Sequence, residues 1–203
     1  MLLASTVDLK APQKMQQPAS LDAFVEACQP LALTRDHEAV ASLMGELIAD
    51  DETFAASVPA FGELAPSERG WVLGGEHLCY QSDELTVMVL DTLPGVSQPP
   101  HDHSMNAIIG VFEGCEEQRF WGRTPNGVTS TTGRMLEAGD VMVLGERAIH
   151  AISSPEGRAA RALHVYFGNI YDVERSLFHP ETLEEFPYDS DRYDDFCRPV
   201  PSD

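Results

Sequence analysis

From Trp71 onward the chain alternates apolar and polar residues in short runs, the period of two that marks half-buried strands. Residues 85–90, 107–112, 117–121, 140–144 and 162–166 each read as a strand. Pro94-Gly95, Pro125-Asn126-Gly127, 137–140 and 155–157 separate them as turns. Many short strands at this spacing predict a mainly β fold, a closed β-sandwich or jelly-roll barrel. Before Trp71 the period is helical. One short helix is expected over 22–28, ending before Pro30. A second follows Thr34 or Asp36 as N-cap, with Val40, Leu43, Leu47 and Ile48 on one face. Pro59 and Pro66 mark a connecting stretch. Residues 1–20, polar and broken by Pro12 and Pro18, read as a loose tail. Residues 21–188 read as one domain with its N-terminal helices and 189–203 as an acidic C-terminal tail; 181–203, rich in Asp, Glu, Tyr and Pro, wraps the barrel or frays, and its acidic run 189–195 reads as solvated. No internal repeat is visible.

Composition narrows the class. A chain of 203 residues suits one domain, and 43% hydrophobic content with 14 Pro and 15 Gly suits a turn-rich globular protein. No apolar stretch approaches the ~18–20 residues of a membrane span, and Met1-Leu2-Leu3 has no basic segment or long apolar run of a secretory signal. With 33 acidic against 13 basic residues the formal charge is −20. That argues against nucleic acid or an anionic membrane as partner, since both repel such a surface. Cys28, Cys79, Cys115 and Cys197 show neither metal-binding nor disulfide spacing, so a reducing, cytoplasmic setting is expected. Cys79 and Cys115 read as buried small apolar residues, and Trp71 and Trp121 as core or barrel-lip residues.

Histidine is the most informative residue type. On a strand alternate side chains face one way, so His101 and His103 in Pro99-Pro100-His101-Asp102-His103 can face one interior point. Gly95, five residues, His101-x-His103 and then Gly114 reproduce the spacing of the first cupin motif. Gly139, five residues, Gly145 and then His150 reproduce the second more loosely. Three imidazoles in a buried barrel imply something that binds them. Most cupins carry a glutamate four residues after the second histidine, where this chain has Ala107. Three neutral imidazoles suit Fe, Zn, Cu or Ni, leave open positions, and favour an anionic donor such as a thiolate. His37, His77 and His179 stand alone and read as surface or turn residues.

His101-Asp-His103, the strand through Ile108 to Gly114, His150 and His164-Val-Tyr166 resemble the cysteine dioxygenase superfamily of cupins. The likeness is to its bacterial thiol dioxygenase branch, which includes 3-mercaptopropionate dioxygenases. Leu47-Ile-Ala-Asp-Asp51, Gly168-Asn-Ile170 and Phe178-His-Pro-Glu181 extend the resemblance over roughly residues 20–188. It implies a small barrel with N-terminal helices, Fe(II) held by His101, His103 and His150, and addition of O2 to the sulfur of a small thiol, giving a sulfinate. It implies that His164 holds Tyr166, whose hydroxyl points at the substrate, and that Arg175 contacts a substrate carboxylate. Monomer or homodimer is the expected state.

Three positions depart from the family. Ala162 stands where a serine usually precedes the histidine–tyrosine pair. Gly75-Glu76-His77 stands where an Arg or Gln would bind a carboxylate, which points away from cysteine and towards a cationic or neutral substrate. Asn106-Ala107 replaces the residues that often follow H-x-H, so no cysteine–tyrosine crosslink is expected there. A three-histidine metal cupin of other chemistry (a pathway-specific oxygenase, lyase or isomerase) therefore stays open, as does a non-catalytic ligand-binding cupin.

Overall fold

A computed structural model describes residues 20–49, 54, 57–58, 73–155 and 157–200. The expected N-terminal tail, the Pro59–Pro66 connector and Trp71 lie outside them. In chain order the elements are α1 (Leu21–Thr34), α2 (His37–Ile48), β1 (Leu73–Gln81), β2 (Thr86–Thr92), β3 (Val96–Ser97), β4 (His101–Asp102), β5 (Ala107–Thr124) and β6 (Gly127–Glu137). Then come β7 (Val141–Leu144), β8 (Ile149–Ser153), β9 (Ala160–Tyr166), β10 (Ser176–Phe178), β11 (Glu185–Pro187), α3 (Ser190–Phe196) and β12 (Arg198–Pro199). No helix among the described residues is long and apolar enough to cross a membrane.

The architecture is the mainly β, antiparallel roll of a cupin. One sheet runs β1-β2-β9-β5-β7. The other joins β5 to β6 and β8, then β8 to β4, β10 and β11. The long β5 belongs to both, its first half pairing with β9 and β7 and its second with β6 and β8. Where the sheets part, Gly114 has φ 72, and a Cβ there would overlap the Ala159 carbonyl oxygen. The two expected strands 107–112 and 117–121 are therefore one strand, bent at the glycine.

Alternation along the strands separates two interiors. Val87, Val89, Ile108, Leu163 and Val165 face α1 and α2 in one apolar cluster, with Phe24, Val40, Leu43, Met44, Leu47 and Ile48. Met88, Ala107, Ile109, Val111, Ala162 and Tyr166 face the barrel interior. Burying one such large apolar side chain contributes roughly 1.5–3 kcal/mol, so the helices are held by their apolar faces.

Two expectations need correcting. The helix expected to stop before Pro30 runs through it to Thr34. Pro30 costs the helix one hydrogen bond, to the Glu26 carbonyl, but the apolar face continues to the buried Ala32. The acidic run 189–195, expected to be solvated, belongs instead to α3, capped by Asp189 accepting from the Arg192 N–H, and β12 after it pairs with β3, so of the two expected courses the segment takes the one that wraps the barrel. Tyr193 and Cys197 are buried against Leu177. The second helix begins as expected, with the Asp36 side chain accepting from the Ala39 N–H.

Candidate metal centre

The first sheet supplies one wall of the barrel and the second supplies the ligands. His101 on β4 and His150 on β8 are register partners, so their rings project from adjacent strands on one face. His103 follows β4 directly. Ser104, at φ 52, then turns the chain back towards β5. Asp102, between the two histidines, faces the other way, where it pairs with Arg123 at 3.0 Å and accepts from the Ser176 N–H at 2.9 Å. That pairing fixes the short β4 to β5 and β10.

His101, His103 and His150 are 5% exposed or less. Their ring centroids lie 4.7–5.1 Å apart, and one ligand atom from each falls within 4.8 Å of the others. His101 Nδ1 lies 3.0 Å from the Pro99 carbonyl and His150 Nδ1 lies 2.7 Å from Gln118 Oε1. Both partners can only accept, so the single proton of each neutral ring sits on Nδ1 and Nε2 presents its lone pair. Nε2 of His150 and Nε2 of His103 are 3.2 Å apart.

Burial, and then the neighbouring imidazoles, hold His103 and His150 well below the usual histidine range. Burial lowers His101 to about 4, against the opposing hydrogen bond to Pro99. All three are neutral near pH 7, the form a metal requires. Buried imidazole nitrogens brought this close, with no protein cation among them in the described residues, fit a divalent transition metal. The three histidines form a candidate metal site.

Tyr166 packs edge-on to His103 with centroids 5.0 Å apart, and its hydroxyl lies 3.1 Å from His164 Nδ1. His164 Nε2 is buried and has no protein hydrogen-bond partner among the described residues. Ala162, two residues earlier on the same face, offers no hydroxyl. Burial lowers His164 to about 3 and raises Tyr166 above the usual phenol range, so the tyrosine keeps its proton.

The histidines open into a cleft also lined by Glu76, Tyr171, Arg175, Tyr188 and Tyr193. Arg175 stacks 3.3 Å over the Tyr188 ring and has no ion-pair partner among the described residues. Its positive charge helps depress His101 and His103. Glu76 accepts from the Tyr171 hydroxyl at 2.8 Å.

All six residues singled out from the sequence thus meet around one cleft: His101, His103, His150, His164, Tyr166 and Arg175. His77 also lines it, whereas His179 is a turn residue whose Nδ1 accepts from the Glu181 and Thr182 N–H groups. Cys115 is buried, while Cys79 and Trp121 are half-buried. Sequence reasoning missed Gln118, Glu116 and Tyr193. The last packs 5.4 Å from the His101 ring and donates to Gln98 Oε1 at 2.6 Å. For Gln118 the available signal was Glu116-x-Gln118, two polar residues on one face of a strand.

No protein-family model matches the sequence. Among solved structures the chain is similar to the DMSP lyase DddQ from Ruegeria pomeroyi DSS-3, at 17% identity and TM-score 0.49, over 79% of this chain and 98% of that one. It is also similar to the polyketide cyclase RemF from Streptomyces resistomycificus, at 21% identity and TM-score 0.35, over 42% and 55%. The oxalate decarboxylase from Bacillus subtilis matches at 17% identity and TM-score 0.37, over 43% and 22%. The chain thus spans about half of the cyclase and about a fifth of the decarboxylase. Likenesses this distant say nothing about the reaction.

Proposed function

We propose that the protein is a non-haem iron(II) enzyme of thiol dioxygenase type, converting a small thiolate and O2 to a sulfinate. The observation that carries the reading is the pairing of three neutral, buried imidazoles with a protonated tyrosine held by His164 beside them. His101, His103 and His150 would hold ferrous iron, which when bound supplies O2 activation. Both oxygen atoms end on sulfur, so the overall reaction needs no further reductant.

The chain's own residues bind and orient. With the His164 proton on Nδ1, the Tyr166 oxygen accepts it and the phenol proton can be donated into the cleft. Burial raises Tyr166, which keeps that proton in place. Arg175, with no carboxylate partner among the described residues, offers its charge to an anionic substrate group in the cleft.

A second reading, a three-histidine metal cupin of other chemistry, is favoured by one observation: Nε2 of His164 lacks the hydroxyl partner that the thiol dioxygenase pattern supplies. Metal analysis of the purified protein, followed by O2 uptake of the iron(II)-loaded form with a panel of small thiols, decides between them. Stoichiometric uptake with sulfinate formation is expected. Bound iron with no response to any thiol would replace the first reading with the second.

A further inference from the structure

Three acidic residues with buried side chains stand out among the described residues. Asp91 pairs with Arg161 at 2.9 Å, and Asp102 pairs with Arg123 at 3.0 Å. Glu116 is 0% exposed and has no basic partner among the described residues. Its Oε1 accepts from Gln118 Nε2 at 2.7 Å, and its Oε2 has no protein partner. Gln118 is also fully buried, and its Oε1 accepts the Nδ1 proton of His150 at 2.7 Å. Glu116, Gln118 and Phe120 alternate along β5 on the barrel-facing side, Glu116 opposite the interior residue Leu136 and Phe120 opposite His150.

An ionised carboxylate buried without a counter-charge is costly, and proteins retain one where something compensates it. Here the path from Glu116 leads through two short hydrogen bonds to the ring whose Nε2 faces the other two histidines. Ala107 leaves the ligand set without a carboxylate of its own. A divalent cation at that point is the counter-charge the geometry offers.

The geometry points to Gln118 and Glu116 as positioning residues of the metal centre, a relay that fixes the His150 tautomer and sets a carboxylate charge behind it. The inference rests on the three-histidine metal reading. Gln118 holds the His150 proton on Nδ1, so Nε2 is always presented to the metal. Glu116, by accepting from the Gln118 amide, makes its oxygen a stronger acceptor and the imidazole a stronger donor. Partners of this kind behind a metal-bound histidine typically change affinity 10–100-fold.

The test is cobalt(II) titration of the full-length protein, read by visible absorption and chelator competition, with imidazole nitrogen NMR of the metal-free form reporting the His150 tautomer. Gln118→Leu is expected to weaken cobalt by roughly 10–100-fold and to mix the two His150 tautomers; Glu116→Gln is expected to weaken it by about tenfold with the tautomer kept. The exchanged pair Glu116→Gln with Gln118→Glu restores both the acceptor for His150 and a buried carboxylate, and should bring affinity back towards wild type. Glu116→Gln preserves side-chain size and decides the matter if Gln118→Leu does not fold. Wild-type affinity in both single variants, or an exchanged pair as weak as the singles, would overturn the relay while leaving the metal site standing. Failure of the wild type to bind cobalt(II), zinc or iron(II) would overturn the metal reading and the relay with it.

Discussion

Strand β9 carries two buried polar groups three residues apart, on opposite faces, and they behave in opposite ways. Arg161, on the face of Leu163 and Val165, meets its register partner Asp91 in an ion pair buried on both sides, with the Phe112 ring 5.2 Å from the guanidinium. His164, on the barrel face, sits among His101, His103 and His150, groups of its own kind whose positive forms would repel it. Opposite charges brought together complete one another. Four imidazoles do not; burial leaves them neutral, and three of them, His101, His103 and His150, bring ligand atoms within 4.8 Å of one another. The first arrangement is what a fold uses to hold two strands; the second presents a donor set that suits a cation.

Breaking each cluster should therefore damage different properties. Asp91→Ala removes the nearer, buried carboxylate of Arg161, leaving the exposed Glu113 at 3.7 Å, and should cost up to about 3–5 kcal/mol in urea denaturation, with metal affinity unchanged. His103→Ala should do the converse, abolishing metal retention in chelator-competition assays at little cost to the metal-free fold. A loss of metal in Asp91→Ala comparable to that in His103→Ala would erase the distinction between the two faces. A finer cut lies within the barrel itself. Tyr166→Phe keeps the ring against His103 and removes only the hydroxyl held by His164, so turnover should fall about a hundredfold with bound metal intact. Unchanged turnover would remove Tyr166 from the chemistry.

How much of this could be read in advance depended on whether local pattern and tertiary role agreed. His101-x-His103 was legible because a period of two, with the polar Asp102 between, holds in the folded strand as in the sequence. His164 and Tyr166 share a face for the same reason. Strand β6 was not legible: it is exposed along most of its length and paired to β5 alone, so no alternation marks it. Strand β8 is buried on both faces, and its five residues carry no alternation either. In α3 the charges of Asp191, Asp194 and Asp195 conceal the single buried position, Tyr193. Gln118 lay within an expected strand, but only the bend at Gly114 and the pairing of β5 with β8 decide that its face is the inner one.

A further expected effect bears on the cost of burying the Glu116 carboxyl. Burial pushes the Glu116 carboxyl up from its ordinary 4.5 to about 7, against the opposing hydrogen bond from Gln118. Between those values the folded chain holds a proton that the unfolded chain gives up. This group's contribution to stability is thus full below pH 4.5 and is lost as pH rises through 7. His164, lowered from 6.5 to about 3 by burial and then by His101, runs the other way: its contribution is present above pH 6.5 and is lost as the pH falls towards 3. In chelator-treated protein, Glu116→Gln removes only the alkaline loss. It should match wild type near pH 4.5 and exceed it at pH 8 by up to about 3 kcal/mol, read from urea midpoints. Metal should narrow the gap, because the cation compensates the carboxylate in wild type alone. A variant less stable than wild type at pH 8 without metal would mean that Glu116 already has its counter-charge inside the protein, and that its burial, like that of Asp91, serves the fold.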